Sequence, residues 1–464
     1  MSSTLLAVSP LDGRYASSLD CLRPYCSEFA LIRHRVQVEF AYFLALLERL
    51  DESEAAEIAR AVFGARIQEF GEDDARAIKT IEARTNHDVK AVEYWLKALL
   101  ETESRLTASV EWVHFALTSE DVNNLSHALM LQGAIAHVLI PCLTKLLQRM
   151  IALATPLAAT PMLARTHGQP ATPTTMGKEL AVFIARLTPL MRDLTTIRQP
   201  GKLNGATGNF NAHAIAYPSI DWPAFSDAFV RSLGLVPNRF TTQIEPHDGL
   251  AATCDRIRHI NLVLLDLNQD LWRYISDGYF KQRVVSTEVG SSAMPHKVNP
   301  IDFENSEGNL GLANAVLNHL SEKLTRSRLQ RDLSDSTVLR NLGVGLGHTL
   351  LAWQSCIKGL GRIDCDAKRL KADLEAHPEI LAEAYQTVLR SLGHDAPYER
   401  LKQFTRGEHI TLADMHAFLE ECGLDADTTQ RLRALTPAAY IGRAPELTEQ
   451  AIAEAQALLE QQTT

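Results

Sequence analysis

Cysteine is scarce. Seven stand at positions 21, 26, 142, 254, 356, 365 and 422 of 464 residues. The number is odd and no Cys-x-x-Cys pair occurs, so neither a disulfide framework nor a zinc site is suggested. No His-x-x-x-His spacing, no phosphate-binding P-loop and no Gly-x-Ser-x-Gly elbow is present, which argues against a metal-ligand set, a P-loop nucleotidase and a Ser–His–Asp hydrolase. Positive charge is also short: the net charge is −10. Nothing therefore points to nucleic acid or an anionic membrane, although a local anion site is compatible with that balance. No apolar run is expected to reach the roughly 20 residues of a membrane span. The opening stretch, MSSTLLAVSPLDGRY, lacks a positive n-region, so a secretory signal is not expected and the cytoplasm, with reduced thiols, is the expected compartment.

What is present is a soluble globular composition, 46% hydrophobic and 22% charged, with length for about three domains. Most of it reads as helix. From about 248 to 277, Ile257, Ile260, Leu264, Leu267, Leu271 and Ile275 form a coiled-coil-like seam. Thr118-Ser-Glu-Asp121 is a capping arrangement with acids in a first turn. It opens a helix toward Met150 that Pro141 should interrupt. Further long helices are expected over about 174–198, 303–326 and 336–360. Five long helices in one region argue for a bundle. Gly, Asn and His content over 201–218 suggests loops and a short hairpin. No strands alternate with helices, which counts against a Rossmann or barrel architecture. The expected fold is all-α in three domains: 1–115, a central helical bundle over 116–362, and 363–464, where shorter helices break at Pro378, Gly393, Pro397, Gly407 and Gly423. Several apolar faces on such helices are completed either within a monomer or in an oligomer.

The densest polar chemistry lies in Gly290-Ser-Ser-Ala-Met-Pro-His-Lys-Val-Asn-Pro300. Pro295 and Pro300 each remove a backbone donor, and each biases its predecessor toward extended geometry. A surface turn is the plain reading of most such loops. Four other clusters stand out. Asp12-Gly-Arg-Tyr15 alone is a turn with a solvated arginine. Thr85-Asn-His-Asp88 leads into a helix whose N-terminus favours anions, although Asn and Asp are also common caps. His114 precedes Thr118-Ser119, whose hydroxyls and free N–H groups suit a carboxylate or phosphate. His167 sits in Arg165-Thr-His-Gly-Gln-Pro-Ala-Thr-Pro173, a Gly/Pro-punctuated loop. Beyond these, Arg331, Ser336 and Arg340 suit a phosphate clamp, since guanidinium groups bind phosphate bidentately. A solvated helix face is the competing reading there.

Together the strings SPLDGRY, KTIEARTNHDVKAVEYWL, VHFALTSEDVNNLSHALML, RTHGQPATPTTMGKE, GSSAMPHKVNPIDFENSEGNLGL and QRDLSDSTVLRNLGVG, with Tyr440-Ile-Gly-Arg443, run in order over nearly the whole chain. They resemble the adenylosuccinate lyases of the fumarase/aspartase superfamily. The resemblance implies a three-domain helical fold whose central helices build a homotetramer, with active sites shared between subunits. It implies β-elimination of fumarate from adenylosuccinate and from succinyl-aminoimidazole carboxamide ribotide, without metal or organic cofactor. It implies Ser291 as general base and His167 as general acid. Lys297, Asn299, Thr118 and Ser119 would hold the succinyl carboxylates. Asn86, His87 and Asp88 would stand near the substrate, with His87 orienting it and His114 assisting, and Gln243 would contact the succinyl or base portion. Arg14, Tyr15, Arg331, Ser336 and Arg340 would take the phosphate and nucleotide. Two other readings stay open: a sister lyase acting on argininosuccinate, malate or aspartate, and a helical scaffold that has lost catalysis.

Overall fold

The computed structural model describes residues 4–284, 292–407 and 410–462. Its principal helices, in chain order, are α1 (Glu28–Arg49), α2 (Glu72–Thr85), α3 (Asp88–Leu100), α4 (Ser119–Ala134), α5 (Ile140–Ala154), α6 (Met176–Thr196), α7 (Asp248–Ser276), α8 (Ile301–Leu324), α9 (Ser334–Leu339) and α10 (Leu342–Leu360). Short helices follow, broken at the Pro and Gly positions that the sequence marks, and an 18-residue helix, Ala444–Gln461, comes last. Strands occur only as two- or three-residue pairings among the described residues.

The seam of α7 is buried at Ile257, Ile260, Leu264, Leu267 and Leu271, as its 3–4 spacing requires. Pro141 acts as expected. It cannot donate to the carbonyl four residues back, and the turn before it widens to a π-helix over Ile135–Leu139. There the Ile140 N–H reaches back to the Ile135 carbonyl, so the helical course resumes as α5.

Three expectations need correction. The stretch 336–360 is not one helix. It breaks at Arg340–Asn341 between α9 and α10, where the Asn341 side chain donates to the Thr337 carbonyl at 3.1 Å and competes with the helical ladder. The hairpin is not in 201–218. That region holds a strand, Pro200–Gly201, paired in parallel with Val236–Pro237, and a short helix, Asn211–Ala216. A hairpin lies instead at β1 (Arg165–Thr166) and β2 (Gln169–Pro170). Finally, the helical stretch Ser119–Leu157 is long and apolar enough to cross a membrane by length and composition, although half of its most apolar window is buried within the fold.

The chain divides into two compact units. The first comprises Met1–Cys142, Asp193–Asn261 and Gly308–Ala352, and the second Leu143–Arg192, Leu262–Glu307 and Trp353–Thr464. In the first unit, α1, α2 and α3 bury Ile32, Val36, Phe43, Ile78, Val92 and Leu96 in one core. Buried Asn261 on α7 donates both to Asn314 of α8 (3.1 Å) and to Thr349 of α10 (3.2 Å). A buried polar group that can be satisfied in only one alignment fixes the register of three helices. In the second unit Asn268 ties α7 to α8 alone, donating to Ser306 at 2.8 Å.

Candidate active site

In the first unit the flagged clusters meet around the N-terminal turns of α3 and α4. The joint between α2 and α3 is two residues long. Asn86 adopts the left-handed conformation (φ 51°) and closes α2 by donating its N–H to the Glu82 carbonyl. His87 caps α3, with Nδ1 accepting the Lys90 N–H at 3.1 Å. With Nδ1 an acceptor, the neutral ring carries its proton on Nε2. Asp88 follows. Its Oδ2 lies 2.8 Å from Nη2 of buried Arg35 and 3.4 Å from Nη2 of Arg340. Burial opposes its ionisation, but Arg35 and the Val89 N–H, with Arg340, outweigh it and hold the carboxyl below its ordinary pKa. Residues 252 positions apart are thus joined: Asp88 anchors Arg340.

At α4, Asp121 caps its own helix, Oδ2 accepting the Thr118 N–H at 2.9 Å. It also accepts the N–H groups of Asn204 (2.9 Å) and Gly205 (3.2 Å). Fully buried Lys202 lies 3.1 Å from the Asp121 carboxylate and donates to the carbonyls of Gly205 (3.0 Å) and Gln243 (2.7 Å). The Gln243 side chain donates in turn to the Ala206 carbonyl at 3.1 Å. Thr118, Ser119 and Gln243 therefore share one buried scaffold. Between Ser119 and Asp121, Glu120 faces Arg331, whose Nη2 is 3.2 Å away. Arg331 also lies 3.4 Å from Asp335, beside Ser336. Burial pushes the Glu120 carboxyl up to about 7, with Asp335 adding to the shift and Arg331 opposing it.

His114 stands in a loop where it and Ala116 both have positive φ, 59° and 58°. Such backbone is uncommon for residues other than glycine. The loop is held by Tyr42, which donates to the Phe115 carbonyl at 2.8 Å. His114 Nδ1 is 2.5 Å from buried Glu39. Burial works against the imidazolium, but Glu39 wins and raises the His114 pKa. Arg14 lies over the Tyr15 ring at 6.0 Å, so this pair is held together in the N-terminal turn.

In the second unit His167 occupies the hairpin tip. The register Thr166↔Gln169 leaves only His167 and Gly168 in the turn, and both have positive φ, 53° and 74°. That is the pattern of a type I′ turn, whose twist suits a two-residue loop. The result is an exposed imidazole on a short stiff arm. The arm is rooted by Arg165, which donates to Asp373 at 2.7 Å; Tyr279 donates to the same carboxylate. Lys297 is exposed on the turn closed by its N–H and the Met294 carbonyl (3.1 Å). Gln282 steadies the following stretch by donating to the Val298 carbonyl at 2.9 Å. Half-buried Asn299 then leads into α8. Ser291 lies outside the described residues.

Sequence reasoning missed Arg35, Glu39, Lys202, His247 and Asp335, and it read Glu120 and Asp121 only as acids of the first turn within the Thr118–Asp121 capping arrangement. The acids of the first turn of α4 were the one available signal. Of the capping readings, the one at Thr118–Asp121 is realised as a capping box; at the other joint the N-cap is His87 rather than Asn86 or Asp88, and Asn86 instead closes the preceding helix.

Sequence families described as "Lyase" and "Adenylosuccinate lyase C-terminal" match residues 26–316 and 327–441. Adenylosuccinate lyase of Haemophilus influenzae is 50% identical over 450 residues, 96% of this chain and 99% of that one. The Escherichia coli enzyme is 50% identical over 445 residues, 95% and 98% of the two chains. The Dictyostelium discoideum enzyme is 46% identical over 460 residues, 96% and 98%. Among solved structures, a fumarate lyase from Mesorhizobium sp. BNC1 superposes with TM-score 0.74 at 18% identity, over 94% of this chain and 97% of that one. A 3-carboxy-cis,cis-muconate lactonizing enzyme from Pseudomonas putida gives 0.72 at 21%, with the same coverage. At those identities the likeness concerns the fold.

Proposed function

The chain belongs to the adenylosuccinate lyases, and on that premise we propose how its residues divide the work. The reaction eliminates fumarate from adenylosuccinate, leaving AMP, and from succinyl-aminoimidazole carboxamide ribotide, leaving the carboxamide. Ser291 removes the proton from the carbon beside the succinyl carboxylate. That carbon acid is weak, and its electron pair is held as an aci-carboxylate by Lys297, Asn299, Thr118 and Ser119. The C–N bond then breaks, the carbon–carbon double bond of fumarate forms, and His167 gives its proton to the departing nitrogen. A serine hydroxyl is a poor base unless its alkoxide is stabilised, and Lys297 supplies the nearby charge.

His87, protonated on Nε2, donates a hydrogen bond to the substrate near the reacting bonds. His114 assists as the cationic member of its pair with Glu39. Arg14, Tyr15, Arg331, Ser336 and Arg340 take the phosphate and nucleotide. The observation that carries the nucleotide assignment is the placement of Arg331 and Arg340 at the first turns of α4 and α3, where guanidinium groups beside helix N-termini suit a phosphate. Argininosuccinate, malate and aspartate offer no such group. None of the seven cysteines is joined in a disulfide, in keeping with the cytoplasm.

We further propose a homotetramer in which His167 and Ser291 reach one site from different subunits. The test is to unfold, mix and reassemble inactive His167→Ala and Ser291→Ala proteins. With random assembly of equal amounts, a site needs an intact donor of each kind, so about a quarter of the wild-type fumarate release from adenylosuccinate should return. Verified mixed assemblies as inactive as each mutant refolded alone would refute the shared site. Fumarate release from argininosuccinate or aspartate by the wild type, and none from adenylosuccinate, would refute the substrate.

A further inference from the structure

The Arg331 guanidinium is already surrounded by negative charge. Glu120, Asp335 and His247 place one ligand atom each within 4.8 Å of one another, and they are 1%, 3% and 4% exposed. Arg331 reaches both carboxylates, at 3.2 and 3.4 Å. Among the described residues Glu120 Oε1, Asp335 Oδ2, His247 Nε2 and Arg331 Nε have no hydrogen-bond partner. The charges facing Glu120 can be counted. Arg331 and Lys202 are positive, whereas Asp335 and Asp121 are negative. Lys202 is committed to Asp121, so Arg331 alone faces two carboxylates. Burial holds the His247 imidazole neutral, its pKa pushed down to about 4. The buried cluster therefore carries one carboxylate too many, and a surplus buried charge is resolved by a proton. A dianionic phosphate arriving at Arg331 makes that surplus larger.

We propose that Glu120 takes up a proton when the substrate phosphate engages Arg331, and so acts as the positioning residue that frees the guanidinium for phosphate. The inference rests on the reading of Arg331 as a phosphate ligand. Glu120 is the acceptor of the proton rather than Asp335 because Asp335 Oδ1 already accepts the Ser336 N–H at 2.6 Å. Glu120 is the more buried of the two, and its Oε1 has no donor among the described residues. The protonated acid has an acceptor within the cluster, Nε2 of neutral His247 in its Nδ1–H tautomer. The pKa of Glu120, raised to about 7, leaves the free enzyme poised for the change.

The experiment is calorimetric titration of the intact enzyme with AMP in buffers of different ionisation enthalpy, near pH ~7.5, where a phosphate monoester with second pKa about 6 is largely dianionic. Going from a pKa of about 7 to full protonation at that pH corresponds to an uptake of about 0.8 proton per site. Glu120→Gln, the neutral isostere, should lower the uptake by that amount. Other titrating groups contribute equally to both proteins and cancel in the difference. Should that variant fail to fold, Asp335→Asn serves: with one carboxylate fewer, Glu120 is compensated by Arg331 and the uptake should fall well below wild type. Equal uptake in wild type and a folded variant, with Arg331→Ala losing AMP affinity, would overturn this inference and leave the phosphate reading standing. Undiminished AMP affinity in Arg331→Ala would overturn both.

Discussion

Replacing Lys202 with Met tests the scaffold beneath Thr118, Ser119 and Gln243. Methionine keeps the length and apolar stem of lysine, so little cavity is created. The backbone at 202 is held independently, because its N–H donates to Asn124 (2.8 Å) and its carbonyl accepts from Asn124 (3.0 Å). The change is therefore electrostatic. It leaves Asp121 buried without its cation and strips the donor from the carbonyls of Gly205 and Gln243. Removing one partner of a buried pair costs about 3–5 kcal/mol. The N–H groups of Thr118, Asn204 and Gly205 still solvate the carboxylate, which places the expected loss near the lower end, about 3 kcal/mol. At about 2.1 cal/mol/K of unfolding entropy per residue, a chain of 464 residues shifts by roughly 1 °C per kcal/mol, so the thermal midpoint should fall by about 3 °C. Midpoints must be compared at one protein concentration and one scan rate. KM for adenylosuccinate should rise as the Gln243 loop loosens. Asp121→Asn combined with Lys202→Met should be more stable than the sum of the single losses predicts, because no charge is then stranded. A single-mutant loss under about 1 kcal/mol, or strict additivity in the double mutant, would refute the claim that this pair is the keystone.

Arg340→Ala should weaken phosphorylated substrate by one charge-assisted bond, about 1.5–3 kcal/mol or roughly 10- to 150-fold, and should spare the dephosphorylated nucleoside analogue; equal losses for both would make Arg340 a structural partner of Asp88. Gly168→Ala places a Cβ where nothing lies within 4 Å, so only the positive φ of 74° is penalised, at about 1 kcal/mol. Gly177→Ala should cost more, since its Cβ would lie 2.6 Å from the Ala158 backbone; chemical denaturation that ranks the two the other way would contradict the packing described here.

Much of the fold was legible because it is periodic. The α7 seam names its own buried face, and Pro141 names its own interruption. The break between α9 and α10 was not legible. Arg340 and Asn341 are no helix breakers by type, and the competing bond runs from a side chain to Thr337. Strands two residues long show no alternation, so β1 and β2 were read only as punctuation around His167. Most of the candidate site residues could be named individually, since His87, Thr118, Arg331 and Arg340 lie in compact polar strings. Their linkage could not. Arg35 lies in a mostly apolar helix, Lys202 in a Gly/Asn loop, and Asp88 meets Arg340 only once the chain has folded.

The two-residue joint at Asn86 and His87 has no slack. One residue ends a helix and the next begins another, so an inserted residue has nowhere to bulge without displacing a cap. Over evolutionary time the outer faces of α2 and α3 can therefore drift in composition while the number of residues between them cannot change. The position of the His87 ring is thus inherited as a length, and gaps in relatives should be absent at this joint even where identity on both sides is low. The same tightness leaves little extended chain for a protease to grip, so limited digestion should cut elsewhere first.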